Sequence, residues 1–404
     1  MSLRTRAWAS ATAALVLGVS LVSCDAAENS GAATPPAGTT IAAPAPDGPD
    51  EVTTGLSGLA EIPQTAGATK AFVEKLQVRP TDIVWHQPLT KPIPQNKTIA
   101  VLELGVPDAV NIDNWIQNAA DDIGWKVARI QAGVSAETFK AAMDQAVRMK
   151  PDAVMLTSFP REVYESELAE LDAMHVPVVG LTVASKTGGG LVATLAGGPR
   201  YERMGQVYAA QVAADSGGKG ADTLVTLVPE YSTSDYVKAG FQAAYPVLCP
   251  GCKSQIRNFG AVDIGTKVPS EIVSYLQANP KVHYLVMFGT FMATGVVPAL
   301  RSAGLLDRVK IFTHDLDPSA AQDMAQGVNE TNYSAAASDM AYRGVDIVIR
   351  YLSGDPSWQD SARTGLPEWI ATNGNLPADA AKGYVPTITD MRAQYDKLWG
   401  VARN

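Results

Sequence analysis

Two clusters in this chain carry residue types that could do chemistry. Cys249-Pro250-Gly251-Cys252 has the spacing of a dithiol pair. A reactive pair needs a lowered thiolate pKa, usually from a helix N-terminus that follows a strand. Here the pair follows the helix-like segment Ser234–Ala244 and lies in a loop before Ile256. That setting favours a structural Cys249–Cys252 bridge in an oxidising compartment, with a redox pair as the alternative. A loop so short contributes about 2 kcal/mol of chain entropy at most, so its service is to fix a tight helix-to-strand turn. His314-Asp315-Leu316-Asp317 offers nitrogen and oxygen donors, but the four histidines are scattered and no second cluster completes a metal shell. Gly217-Gly218-Lys219-Gly220 lacks the spacing and the following hydroxyl of a phosphate loop. No Ser/His/Asp or paired-carboxylate arrangement stands out. The expectation is no catalytic residue, no metal, no cofactor and no enzyme.

The elements that would position these residues alternate. Thr98–Leu102, Lys126–Ile130, Ala153–Leu156 and Val176–Leu181 read as strands, with helical apolar spacing between them, as in Ile112, Ile116, Ala119 and Ile123. A second series follows: strands at Leu224–Leu227, Ile256–Phe259, Tyr284–Phe288 and Lys310–Thr313, with helices near Tyr201–Ala214, Ser234–Ala244, Ser270–Ala278 and Phe291–Ala303. Continuous apolar strands alternating with amphipathic helices mean parallel sheets covered on both faces, and two series mean two lobes. Ligands of such sheets bind outside the carboxyl ends of the strands, which puts the expected site in a cleft between the lobes. The 404 residues, 46% apolar and 18% charged, suit a two-domain body with appendages. A formal charge of −9 argues against nucleic acid or anionic lipid as partner.

At the N-terminus, Arg4 and Arg6 precede an apolar run from Ala7 to Val22, which is short for a transmembrane helix of roughly 20 residues. It ends in Leu21-Val22-Ser23-Cys24, which resembles the bacterial lipobox; a plain secretory signal is the alternative. The resemblance implies that residues 1–23 are a signal peptide and that Cys24 is lipidated and becomes the new N-terminus. Two acyl chains would hold the protein firmly, at about 0.8 kcal/mol per buried CH₂. Residues 24–58, rich in Ala, Gly, Pro, Thr and Ser, read as a disordered tether spanning roughly 30 Å. Residues 59–97 form an N-terminal extension.

From Thr98 to Asn375 the pattern resembles the type I periplasmic binding proteins, the ribose-binding class that feeds ABC transporters. It rests on Leu102-Glu103-Leu104-Gly105-Val106-Pro107 after the first strand, Pro151-Asp152-Ala153-Val154 and Val176-Pro177-Val178-Val179 at later strands, Lys238-Ala239-Gly240-Phe241, Met292-Ala293-Thr294-Gly295-Val296, Asp315, and Tyr342-Arg343-Gly344-Val345. The resemblance implies an α/β fold of two Rossmann-like lobes joined by a three-crossing hinge. Residues 98–198 and 337–375 would form the N-lobe, residues 199–336 and 376–404 the C-lobe, with crossings near Pro199, Ala336 and Asn375. It implies no chemistry on the ligand.

The ligand-binding candidates are Glu103, Asp108, Phe159, Thr182, Tyr231, Tyr236, Phe288, Thr290 and Asp315. Several departures from the ribose class bear on the ligand. Asp108 and Ala109 stand in place of a phenylalanine pair, Thr182-Val183 in place of Asp-Arg, and Gly289-Thr290 in place of Asn-Asp. A site that has lost hydroxyl-binding groups suits a modified or partly apolar solute better than a free sugar. The expected protein is monomeric, lipid-anchored at the outer face of the membrane, and partnered by a small-molecule solute and an ABC transporter permease. Two alternatives stand beside that reading: a receptor whose closed form is read by a membrane signalling protein, and a thiol-disulfide or hydrolytic lipoprotein.

Overall fold

A computed structural model describes residues 40–41, 52–56, 58–328, 330–334, 336–378, 380–383 and 385–401. The signal segment 1–23 and Cys24 lie outside the described residues. Helix α1 (Thr69–Leu76) opens the extension. The first lobe is then built from β1 (Thr98–Glu103), α2 (Pro107–Asp122), β2 (Lys126–Gln131), α3 (Ala136–Met149), β3 (Ala153–Thr157), α4 (Glu165–Ala173), β4 (Val178–Leu181) and β5 (Leu191–Leu195). Its five strands run parallel in the order β2-β1-β3-β4-β5, the doubly wound arrangement. Alternation along β1 decides which face each residue serves. Ile99 and Val101 pack with Ile112 and Ile116 of α2, while Ala100 and Leu102 pack with Phe139 of α3 and Leu168 of α4. Both faces are therefore apolar, as the continuous hydrophobic runs require.

The second lobe follows as α5 (Gly198–Ser216), β6 (Asp222–Leu227), α6 (Ser234–Leu248), β7 (Lys253–Asn258), α7 (Val268–Ala278), β8 (Val282–Met287), α8 (Val296–Ser302), β9 (Lys310–His314), α9 (Pro318–Ala325) and β10 (Glu330–Ser334). The chain returns as α10 (Ala337–Ser353) and α11 (Trp358–Arg363), adds β11 (Trp369–Ala371) and ends in α12 (Met391–Trp399). The six strands are ordered β11-β10-β9-β8-β6-β7, parallel except for β11. Helices α5 and α6 touch backbone to backbone. A Cβ on Gly240 would lie 1.8 Å from the Glu202 carbonyl oxygen, and one on Gly205 2.1 Å from that of Val237, so only glycine fits at either position.

The structure corrects the sequence reading in three places. First, the tether does not run free to residue 58. Val52, Thr53 and Thr54 are buried, and Thr53 pairs in parallel with Thr194 on β5. The open edge of β5 explains this: the Thr54 amide donates to the Thr194 carbonyl at 3.2 Å and the Thr194 amide to that of Val52 at 2.9 Å. Second, the passage expected near Asn375 falls at 364–368, because β11, assigned to the N-lobe, pairs with β10 in the second sheet. Third, α12, assigned to the C-lobe, packs on the first. Trp399 lies flat on Tyr342 of α10 at 5.7 Å and Arg392 Nε donates to Asp122 of α2 at 2.8 Å. The chain thus crosses a fourth time before Met391.

The extension touches both lobes. Helix α1 packs on α5 and β11, whereas Trp85 lies against α10 and donates from Nε1 to Asp346 at 3.1 Å. Among the described residues no helix is long and apolar enough to cross a membrane.

Candidate functional site

The carboxyl ends of the two sheets face one another, and the chain marks them with unusual backbone. Ser158, Thr182, Ala196 and Asp315 each follow the last residue of a strand, and all have positive φ: 70°, 57°, 50° and 59°. A left-handed conformation in a residue with a side chain costs of order 1–3 kcal/mol, and such residues cluster where side chains are aimed at a function. The lobes are in contact across the cleft. The amide and hydroxyl of Ser232, beyond β6, both donate to the Ser158 carbonyl beyond β3, at 3.2 and 3.0 Å. The Ala184 amide donates back to the Ser232 hydroxyl at 3.0 Å.

Asp108 is buried in this contact. Pro107 starts α2 with its fixed φ, which places Asp108 in the first turn and points it at the second lobe. One oxygen accepts from the Phe291 amide at 3.4 Å; the other has no hydrogen-bond partner among the described residues. Opposite stand Asp315 and Asp317. Burial pushes the Asp108 carboxyl well above its ordinary range, and Asp317 and then Asp315 push it further. His314 Nδ1 lies 3.3 Å from an Asp315 oxygen, and burial lowers the His314 pKa against the opposing pull of that acid. Helix α9 is capped by Asp317, whose Oδ1 accepts from the Ala320 amide at 2.7 Å, which leaves Asp315 outside the cap.

Around the acids is a ring cluster. Phe288 stacks on Tyr201 at 5.7 Å and lies 6.2 Å from Tyr231 and from Phe291; Tyr231 meets Phe159 of the other lobe edge-on at 6.2 Å. The Tyr231 hydroxyl is buried with no partner among the described residues. Thr182 hydrogen-bonds Tyr201. Thr290 is consumed inside its own lobe, donating to the His314 and Asp315 carbonyls at 2.7 and 2.6 Å and so tying the end of β8 to that of β9. Asp108, Phe159, Thr182, Tyr231, Phe288, Thr290 and Asp315 are therefore brought together.

Two candidates are not. Glu103 faces along the first sheet, where Arg129 Nη1 donates to it at 3.2 Å and Gln131 also binds it. Tyr236 is 39% exposed, with its ring over Gly198 at the first crossing. Sequence reasoning named Phe291 among the aromatics near the cleft and missed Tyr201. Tyr201 falls just after Gly197-Gly198-Pro199, and that lobe-crossing signal could have marked it. Cys249 and Cys252 are bonded at the end of α6, their Cα atoms 5.4 Å apart, with the Ala221 amide donating to Cys252 Sγ at 3.3 Å. Among the described residues no group of acids, histidines and cysteines is arranged to hold a metal.

Two doubly wound lobes thus meet over a buried cleft of acids and rings. Residues 109–356 match the family model described as the periplasmic binding protein domain, and the chain belongs to that family. No curated protein matches the sequence. Solved structures share its fold. One is an ABC transporter periplasmic solute binding protein from Actinobacillus succinogenes 130z with bound D-allose (TM-score 0.60, 16% identity, 71% of this chain and 100% of that one). Another is an ABC transporter solute binding protein from Agrobacterium vitis bound with alpha-D-tagatopyranose (TM-score 0.62, 17% identity, 72% and 99%). A third is the 5-methylthioribose transporter solute binding protein from Thermotoga lettingae TMO in complex with 5-methylthioribose (TM-score 0.61, 16% identity, 77% and 96%).

Proposed function

We propose that this chain is an extracytoplasmic solute-binding lipoprotein that captures a small, sugar-like or modified and partly apolar solute between its lobes and delivers it to the permease of an ABC importer. The observation that carries this reading is the pairing across the cleft of the buried Asp108 carboxyl with the rings of Tyr201, Tyr231, Phe288 and Phe291. Rings accept the apolar face of a solute, and acids accept from its donors. Asp315 and Thr182 complete the proposed contact set. The similar structures hold two plain sugars and one sugar with an apolar substituent, and the ring-rich cleft fits the latter better.

Cys24 is the proposed anchor, and the closing of the two lobes on the solute is the signal to the permease. A thermal-shift screen of a broad solute library, followed by calorimetry, tests the reading, because a ligand that binds only the folded form raises its apparent stability. A modified or partly apolar solute should stabilise the protein. Tight binding of plain ribose, galactose or glucose rejects the ligand argument. For the anchor, Cys24→Ser should abolish acyl labelling and detergent-phase partitioning.

A further inference from the structure

The N-terminal segment ties the two lobes together from outside residues 109–356, the stretch that matches the family model. Its described residues 52–56 and 58–91 run from the first lobe to the second and back. At the start, Thr53 and Thr54 lie on the edge of β5, where the Thr54 hydroxyl accepts from the Ala196 amide at 3.2 Å. The Gly55 amide then donates to the Arg363 carbonyl at 2.9 Å, where the passage at 364–368 begins; a Cβ on Gly55 would lie 2.8 Å from that oxygen. A short link further on, the Ala60 carbonyl accepts from Arg203 of α5 at 2.6 Å. The same guanidinium grips Glu368, at the other end of that passage, at 2.7 and 2.8 Å. After α1 the Gln77 carbonyl accepts from Trp369 of β11 at 3.3 Å, still on the second lobe. The segment then returns to the first: the Ile83 carbonyl accepts from Arg343 at 2.7 Å and the Gln87 carbonyl from Arg350 at 2.6 Å.

We propose that this segment is a strap that holds the lobes closed, and that the cleft opens only when the strap lets go at residues 52–60. Domain opening is absorbed by the few residues that pass between the bodies. The strap adds a link at 55–60 and another at 77–83, and each is pinned on both lobes, which removes the dihedral freedom that rotation would use. The two links differ in strength. At the second, the carbonyls of Ile83 and Gln87 complete guanidinium groups that are wholly buried, so its departure would strand charged donors. At the first, the hold on lobe one is an edge strand and one amide, which can part at smaller cost. That hold also reaches the rim of the cleft: the Val52 amide donates to the Thr187 hydroxyl at 3.1 Å, in the β4–β5 loop whose Ala184 amide donates to Ser232 of the other lobe. Solute entry and exit then both wait on release of the strap.

Hydrogen exchange on the intact protein tests this without any solute. The amides of Ser232 and Ala184 bond across the cleft and so read opening, whereas those of Thr54 and Gly55 read the strap. If opening requires release, Ser232 and Ala184 exchange no faster than Thr54 and Gly55 in the unmodified protein. Gly55→Val, whose side chain has no room against the Arg363 carbonyl, should speed exchange at Ser232 and Ala184 about tenfold or more. Exchange at Val101 and Leu285, inside the two sheets, should stay as it was, which separates opening from unfolding. Cross-cleft amides that exchange faster than the strap in the unmodified protein overturn the inference, because the lobes then part with the strap in place. A folded Gly55→Val with unchanged exchange at Ser232 and Ala184 overturns it too. Should that variant fail to fold, Thr54→Val removes a single hydroxyl and should give the same change at about threefold; no change there counts against the strap in the same way. Each of these outcomes leaves the solute-binding reading of the cleft intact.

Discussion

Along α10, Asp339, Asp346, Arg343 and Arg350 are wholly buried, and each acid has an arginine one helical turn on, at 3.5 and 2.8 Å. Every remaining valence is met by a fixed partner. Trp85, Trp399 and Ser361 donate to Asp346, Tyr395 donates to Asp339, and Arg350 reaches Ser357 and the Gln87 carbonyl. In the cleft between the lobes Asp108 is also buried, yet among the described residues one of its oxygens accepts no hydrogen bond. Burial is common to both regions, and compensation separates them. A buried charge that the protein itself completes is architecture; one left incomplete is aimed at something that arrives later.

The contrast can be broken from either end. Arg350→Ala should produce the largest effect, about 3–5 kcal/mol of lost stability, because Asp346 and Asp355 then remain buried near an empty place. Chemical denaturation measures it, and a loss under about 1 kcal/mol would erase the distinction. Asp315→Ala should leave the empty protein about as stable as before while lowering solute affinity ten- to a hundredfold, about 1.4–2.8 kcal/mol by calorimetry. A variant that unfolds but still binds in its folded fraction would move Asp315 to the structural side.

Titration draws the same contrast between buried acids elsewhere in the molecule. Asp113 and Glu330 are pushed up to about 8, mainly by burial, whereas an unfolded carboxyl ionises near 4. Between those values the folded chain holds more protons than the unfolded one, so the contribution of these groups is complete below about pH 4 and lost as pH rises toward 8. Asp355 behaves oppositely. Burial raises its pKa, but hydrogen bonds from Ser357 and Thr90 outweigh that and hold it below the ordinary range. Its contribution is present above about pH 4 and lost on acidification. Denaturation midpoints at several pH values should therefore decline from mildly acid toward pH 8, and a flat profile would contradict this assignment. The smallest effect belongs to the lip: Ser232→Ala removes the hydroxyl's two cross-lobe hydrogen bonds, to the Ser158 carbonyl and from the Ala184 amide, but keeps the Ser232 amide bond, and should cost about 0.5–1.5 kcal/mol of closure, seen as a few-fold weaker affinity.

What could be read from sequence followed the hydrophobic signal. The strands β1, β3 and β8 are largely apolar, β9 keeps an Ile311-Phe312 core, and their helices repeat at the expected spacing, so two doubly wound lobes are legible in the sequence. Strand β10 was not, because Glu330, Thr331 and Asn332 are polar. They tolerate their position because Thr313 donates to Glu330 at 2.7 Å and Asn332 donates to Thr290 and Thr313 at 3.0 Å. Residues 52–54 are too few to carry a period, and only the open edge of β5 gives them a place. Asp108 and Asp315 were nameable through family resemblance. That one acid would be left incomplete while α10 completed its own could not be read, since compensation depends on partners brought from distant parts of the chain.

The position of α12 carries a consequence in time. Its Tyr395 and Trp399 close the far side of α10, and Arg343 depends on Tyr395 for one of its bonds. A chain made from its N-terminus forms the strands of the first lobe early, yet that lobe acquires its last covering helix only when residues 391–399 appear. Until then α10 offers unsealed arginines and aspartates to water. The lobe begun at β1 is not complete until α12, so its assembly waits on residues far apart in the sequence, a high-contact-order route that folds slowly and exposes intermediates.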